Sequence, residues 1–212
     1  MAAKTKDTST VSIPALEIKY FNLRIVGDSA LICHAWDEKA KKMMLDKSMK
    51  KATSGKEAKR PCLEYANTLY WLSEKPDLDR MEDAEIMEAV QKGRFGFPVT
   101  AFKASAINGA FRSGVIDKMT VARGAFHIDG EMAEINGVPS MREDTVKIGM
   151  SGAEVRYRAE FLQWETVLSI RYNERAMSME QIVNLFNTGG FACGVGDWRP
   201  EKDGSHGMYH VA

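Results

Sequence analysis

The sequence predicts an α+β fold: an antiparallel sheet with helices on one face. Two observations lead there. Period-two alternation of apolar residues marks strands near both ends of the chain, and four-residue apolar spacing marks helices between and after them. From Leu16 to Trp36 the chain is rich in strand formers, and Leu23 and Ile25 flank Arg24 as in a half-buried strand. Gly27-Asp28 breaks this run before a second short apolar stretch. Asp37 then stands where a helix cap would, with helix formers from Glu38 to Ala52 and lysines on the outer side.

Thr53 to Pro61 reads as a basic loop, because Ser54-Gly55 breaks the helix and Pro61 restricts what precedes it. Leu63–Leu72 and Met81–Val90 read as short helices, so residues from about 61 to 92 form a helical insertion. Pro98 is suited to the first position of a helix reaching about Phe111, with Phe102, Ala106 and Ala110 on its inner side. Ile116 to Ala122 fits a further helical turn. Ala125–Ile128 and Ala133–Ile135 flank Asp129-Gly130, a hairpin signal.

Met141–Met150, Val155–Phe161 and Trp164–Tyr172 follow as strands, the last two long enough to pair. In Val155–Phe161 alternation puts Arg156, Arg158 and Glu160 together on one face. Ser178 caps a last helix, Met179 to Asn187, which feeds a glycine-rich stretch from Gly189 to Gly207 and a final short strand, Met208 to Val211. One domain over residues 13–212 is expected, preceded by a disordered arm over residues 1–12.

Charge is balanced overall, 29 Lys plus Arg against 29 Asp plus Glu, so net charge favours neither nucleic acid nor membrane. Its distribution is uneven. Nine basic residues between Lys39 and Arg60 face only Asp46 and Glu57, whereas seven acidic residues between Glu74 and Glu88 face only Lys75 and Arg80. Cys33, Cys62 and Cys193 lack metal-like spacing, which argues against a disulfide framework or a zinc site and fits a reducing cytoplasm. No apolar run approaches the roughly 18 residues a membrane span needs. No phosphate loop, metal motif or nucleophile elbow is present, so no cofactor, metal or catalytic residue is assigned.

The residues that do point to chemistry are cationic and aromatic. Lys39, Lys41, Lys42, Lys47, Lys50 and Lys51 could neutralise phosphates, while Arg156, Arg158, Arg199 and Lys202 could anchor a backbone. Trp198 and Tyr209 could stack bases, and His34 closes the set. Together they suggest a single-stranded DNA or RNA partner bound by a non-catalytic homo-oligomer or filament.

Leu23–Trp36, followed by a helix, resembles the first strand and turn of RAMP-type proteins, the backbone subunits of CRISPR ribonucleoproteins, in which a histidine often follows an apolar pair. The late helix, glycine-rich loop and final strand are similar to the RAMP C-terminal motif. The chain as a whole, including Phe97–Lys103 and Gly196–Lys202, also resembles a conserved phage and prophage protein of unassigned role. The RAMP resemblance implies a ferredoxin-like or RRM-like sheet with helices behind it, assembling side by side along a nucleic-acid strand. Three rivals remain open: an RNA-cleaving enzyme using His34 as general base, a phage assembly protein with no nucleic-acid ligand, and a small anti-defence protein.

Overall fold

The structure, a computed structural model, describes residues 14–36, 44–46, 48–49, 58–148 and 152–212. Within them the α+β class holds. A long first strand, β1 (Ile18–Gly27), pairs along its length with β9 (Glu165–Asn173) and at its end with β10 (Tyr209–Val211), while β5 (Phe126–Ile128) flanks β9. The order is therefore β10-β1-β9-β5, antiparallel throughout.

Two helices back this sheet, α3 (Val99–Arg112) between β1 and β5 and α5 (Met179–Ala192) between β9 and β10. Order and connections together are those of the split βαββαβ, or ferredoxin-like, unit. Alternation decides which side the helices cover. Leu23, Ile25, Leu168 and Ile170 join Phe102, Ala106, Ile182 and Phe186 in one core, leaving Tyr20, Asn22, Arg24, Val167 and Arg171 on the open face.

The remaining elements are elaborations. Between β1 and α3 lie β2 (Leu31–Cys33), α1 (Pro61–Asn67), β3 (Tyr70–Trp71), α2 (Asp83–Lys92) and β4 (Phe95–Pro98). Between β5 and β9 lie β6 (Met132–Glu134), β7 (Pro139–Ile148) and β8 (Gly152–Phe161), and the short α4 (Met119–Ala125) precedes β5. These strands build two further sheets, ordered β2-β8-β7 and β3-β4-β6. Of the lysine-rich helix expected over residues 38–52, only 44–46 and 48–49 are described, and 44–46 are helical. The expected arm over residues 1–12 lies outside the described residues.

Three expectations are corrected. The segments around Asp129-Gly130 do not form a hairpin, since β5 pairs with β9 and β6 with β4. Gly130 takes a left-handed φ of +83°, but the turn hands the chain from one sheet to another because Phe126 and Ala133 are buried in different sheets. Likewise β8 pairs with β7 and β2 rather than with β9, because the hairpin from β7 supplies a full-length partner first.

The last helix also runs past Asn187 through Gly189 and Gly190, so the glycine-rich loop starts only after Ala192. Ser178 and Gln181 close its N-terminus as a reciprocal capping box. Gly189 serves helix packing: a Cβ there would sit 2.4 Å from Ala106 Cα, and one on Gly109 would sit 2.6 Å from Gly189 Cα. The helices touch backbone to backbone.

This crossing can be tested by urea denaturation. Gly189→Ala should destabilise the protein by at least about 2 kcal/mol through overpacking. Gly124→Ala, in open space within α4, should be neutral or stabilising by up to about 1 kcal/mol. Equal, small effects would remove the close crossing as a constraint.

Candidate nucleic-acid interface

After α5 the chain folds back over β2 as a tight loop from Cys193 to Met208. Its fixings are backbone bonds: Asp197 N–H donates to Ile32 O at 3.1 Å and Gly207 N–H to Ala30 O at 2.7 Å. Gly196, at φ +81°, lies so near β2 that a Cβ would come within 2.6 Å of Ile32 O. The missing Cβ therefore admits the protein's own backbone, which seats the loop on the β2-β8-β7 sheet.

Seating the loop brings a line of charges together. In register, Arg142 lies opposite Arg158 and Asp144 opposite Arg156, on the face that also carries Glu160. Arg158 donates to Asp144 Oδ2 at 3.2 Å and lies 3.4 Å from Asp197 Oδ2. Arg142 donates to Asp144 at 2.8 Å and to Glu160 at 3.2 Å. His34 Nδ1 meets the same Asp197 oxygen at 3.1 Å. Burial opposes the charge on Asp197, but the His34 hydrogen bond and then the nearby Arg158 and Arg199 outweigh it and hold the carboxyl below its usual 3.8.

A pocket of about 240 Å³ opens beside this line, bounded by His34, Tyr70, Asn108, Asp197, Arg199 and Glu201 among others. Burial pushes the Tyr70 phenol up to about 12, so it stays protonated and donates to His34 O at 3.3 Å. Arg199 donates twice to Glu201 Oε2, at 2.9 and 2.7 Å, and once to Gly196 O at 3.0 Å. Arg112 holds the other Glu201 oxygen at 3.0 Å.

The expected site residues are thus sorted. Arg156 and Arg158 share one face of the β2-β8-β7 sheet, His34 and Arg158 both meet Asp197, Arg199 lines the pocket with His34 and Asp197, Trp198 follows Asp197 in the loop, and Lys202 is exposed farther along it. Trp198 is 45% exposed and holds a left-handed φ of +56°. Lys39, Lys41, Lys42, Lys47, Lys50 and Lys51 lie outside the described residues.

Two assignments are corrected. Arg158 does project with Arg156, but the loop covers it to 6% exposure and its guanidinium faces two carboxylates, so it is no free phosphate anchor. Tyr209 is 1% exposed, its hydroxyl donating to Ser105 at 3.1 Å and its ring packed edge-on against Phe102 and Trp164, so it cannot stack a base. Arg199 is partly exposed, yet its charge is spent on Glu201.

Sequence reasoning passed over Asp144 and Asp197. Asp144 was readable from opposite charges on two strands that form a hairpin. Asp197 gave no periodic signal, because only the loop's fold sets it between His34 and Arg158.

Arg158→Ala should cost about 3 kcal/mol in a denaturation experiment, since it strips a buried pair of one partner, whereas Arg156→Ala should change stability by less than about 0.5 kcal/mol. A depressed carboxyl pKa contributes stability that is present above the unfolded value and is lost as pH falls through the folded one. Wild type should therefore lose more stability than Asp197→Asn as pH is lowered from 5 to below 3.8. Parallel curves would exclude a favourable role for the Asp197 charge.

No protein-family model matches the chain, and no curated protein matches it. Among solved structures it is similar to the crystal structure of Cmr6 from Pyrococcus furiosus, at 12% identity and a TM-score of 0.36 over 93% of this chain and 100% of that chain. At that overlap the fold assignment rests on this chain's own strand order. Among the described residues no helix is long and apolar enough to cross a membrane.

Proposed function

We propose that this protein is a non-catalytic, oligomeric binder of single-stranded nucleic acid, with the C-terminal loop as its contact element. One observation carries the reading: Trp198, a bulky residue, is held at φ +56° with its indole partly in solvent. Left-handed backbone is unfavourable for such a side chain and is kept where the surroundings enforce it, most often at functional positions. Here His206 N–H donates to Trp198 O at 3.0 Å, and Gly204 lies so near that a Cβ would overlap that oxygen. The loop thus holds an aromatic surface outward, which is what base stacking requires.

The described residues that flank the lysine-rich sequence both touch the sheet that carries the loop: His34 meets Asp197, and Lys59 is ion-paired with Glu154 on β8. In this proposal those lysines add phosphate neutralisation to the contact made by the loop. A phage or prophage setting and a RAMP-like role belong to this proposal through the sequence resemblance alone.

A second reading has its own observation. Asp197 holds His34 Nδ1, and His34 lines the pocket, the arrangement of a general base oriented by a carboxylate. In that reading His34 would take the proton from a ribose 2′-hydroxyl. Incubating RNA with wild type and His34→Ala decides it: cleavage lost in the variant supports it, and no cleavage by either protein eliminates it.

For the principal reading, fluorescence anisotropy with labelled single-stranded DNA and RNA should show affinity that falls with rising salt. Trp198→Asn, which tolerates left-handed backbone, should keep the melting temperature within a few degrees while weakening binding roughly 5- to 150-fold. Unchanged affinity would remove Trp198 from the interface, and no affinity in wild type would end the reading.

A further inference from the structure

The pocket beside the loop has walls suited to a flat molecule. Tyr70 and Phe97 both line it and meet edge to face, their ring centroids 5.3 Å apart at 75°, so one corner combines a ring face with a ring edge. Ala101 and Ala104 of α3 line it with methyl groups alone, which take up little room. At about 240 Å³ the space falls below the roughly 300 Å³ at which drug-sized sites begin, which suits one ring system better than a whole nucleotide.

The polar groups of the lining favour a neutral occupant. Arg199 and Arg112 hold Glu201, and Arg158 faces Asp197, so carboxylates and guanidiniums cancel and neither a phosphate nor an ammonium finds a free counter-charge. The hydroxyls of Tyr70 and Ser105 donate to His34 O and Gly189 O, at 3.3 and 3.0 Å. What remains accepts more than it donates. Among the described residues Asp197 Oδ1 and the side-chain amide of Asn108 take part in no hydrogen bond. His34, whose Nδ1–H donates to Asp197 Oδ2, keeps Nε2 as an acceptor in its neutral form. Asn108 stands in the middle of α3, where its side chain does nothing for the helix that alanine would not do better.

We infer that this pocket takes a single nucleobase carrying an exocyclic amine: adenine, cytosine or guanine rather than uracil or thymine. An amide pairs with one donor and one acceptor on a base edge, which every base offers. The amine supplies a further N–H, and that N–H goes to the carboxylate. Uracil and thymine have a single edge N–H between two carbonyls, so nothing is left for Asp197. A site built of acceptors rejects an analogue lacking the donor, because its own groups then go unpaired. The inference deepens the strand-binding reading and rests on it for the source of the base: Trp198 stacks one base while the pocket beside Asp197 takes another of the same strand.

Saturation-transfer NMR titrations with free nucleosides test the pocket without phosphate or strand, so the outcome is separate from that of the anisotropy measurement. Guanosine and cytidine should bind wild type at least about 10-fold more tightly than inosine and uridine, which lack the amine. Asn108→Ala, which favours the helix, should keep the circular dichroism spectrum and weaken cytidine binding by about 10-fold. Ala104→Leu, at an exposed helix position on the pocket wall, should keep the spectrum and abolish binding of all four. Equal affinities in wild type, no transfer to any nucleoside, or a well-folded variant of either kind that binds as wild type does overturns the inference. Strand affinity without nucleoside discrimination removes the base pocket and leaves the strand-binding reading standing.

Discussion

Asp197 is the residue through which the loop, the sheet and the pocket become one structure. Its carboxylate lies 3.4 Å from a buried arginine and 3.1 Å from an imidazole, so one charge anchors the loop, neutralises Arg158 and orients His34. A buried guanidinium costs free energy unless carboxylates meet it. Arg158 therefore demands that both Asp144 on the neighbouring strand and Asp197 on the loop be in place. That demand adds to the backbone bonds from Asp197 to Ile32 and from Gly207 to Ala30 that hold the loop in place, and the glycines let the backbone comply.

The consequence runs outward to Trp198. Being next in sequence to an anchored Asp197, with its carbonyl held by His206, it has little freedom to relax its left-handed backbone. A loop without the Arg158 anchor could turn the indole inward against the sheet. Buried electrostatics thus set the exposure of an aromatic several residues removed from the core, and the helix crossing at Gly189 fixes where the loop departs.

Much of the fold was legible in the sequence, for reasons that differ by element. β1, β9 and the last helix declared themselves through strict period-two or period-3.6 patterns, because each has one buried and one solvated face. Pairing was less legible. β8 and β9 alternate equally well, and only the shape of the whole chain shows that they belong to different sheets. The Asp129-Gly130 turn has hairpin chemistry but bridges two sheets, since turn residues fix local dihedrals and not the partners of the strands that follow.

The site was legible in part. Trp198 and His34 stood out by residue type, and His34 meets Asp197, the residue before Trp198, while Tyr209 was misplaced because a short strand hides which face its alternation buries. Arg158 shared the exposed phase of Arg156 and was buried only by a loop from the far end of the chain. Whether the C-terminal loop touches nucleic acid is asked most directly by photo-cross-linking a single strand carrying iodouracil, followed by mass mapping of the modified peptides. The expected result is an adduct on the peptide bearing Trp198; adducts confined to other surfaces, such as the open face around Tyr20, would contradict it.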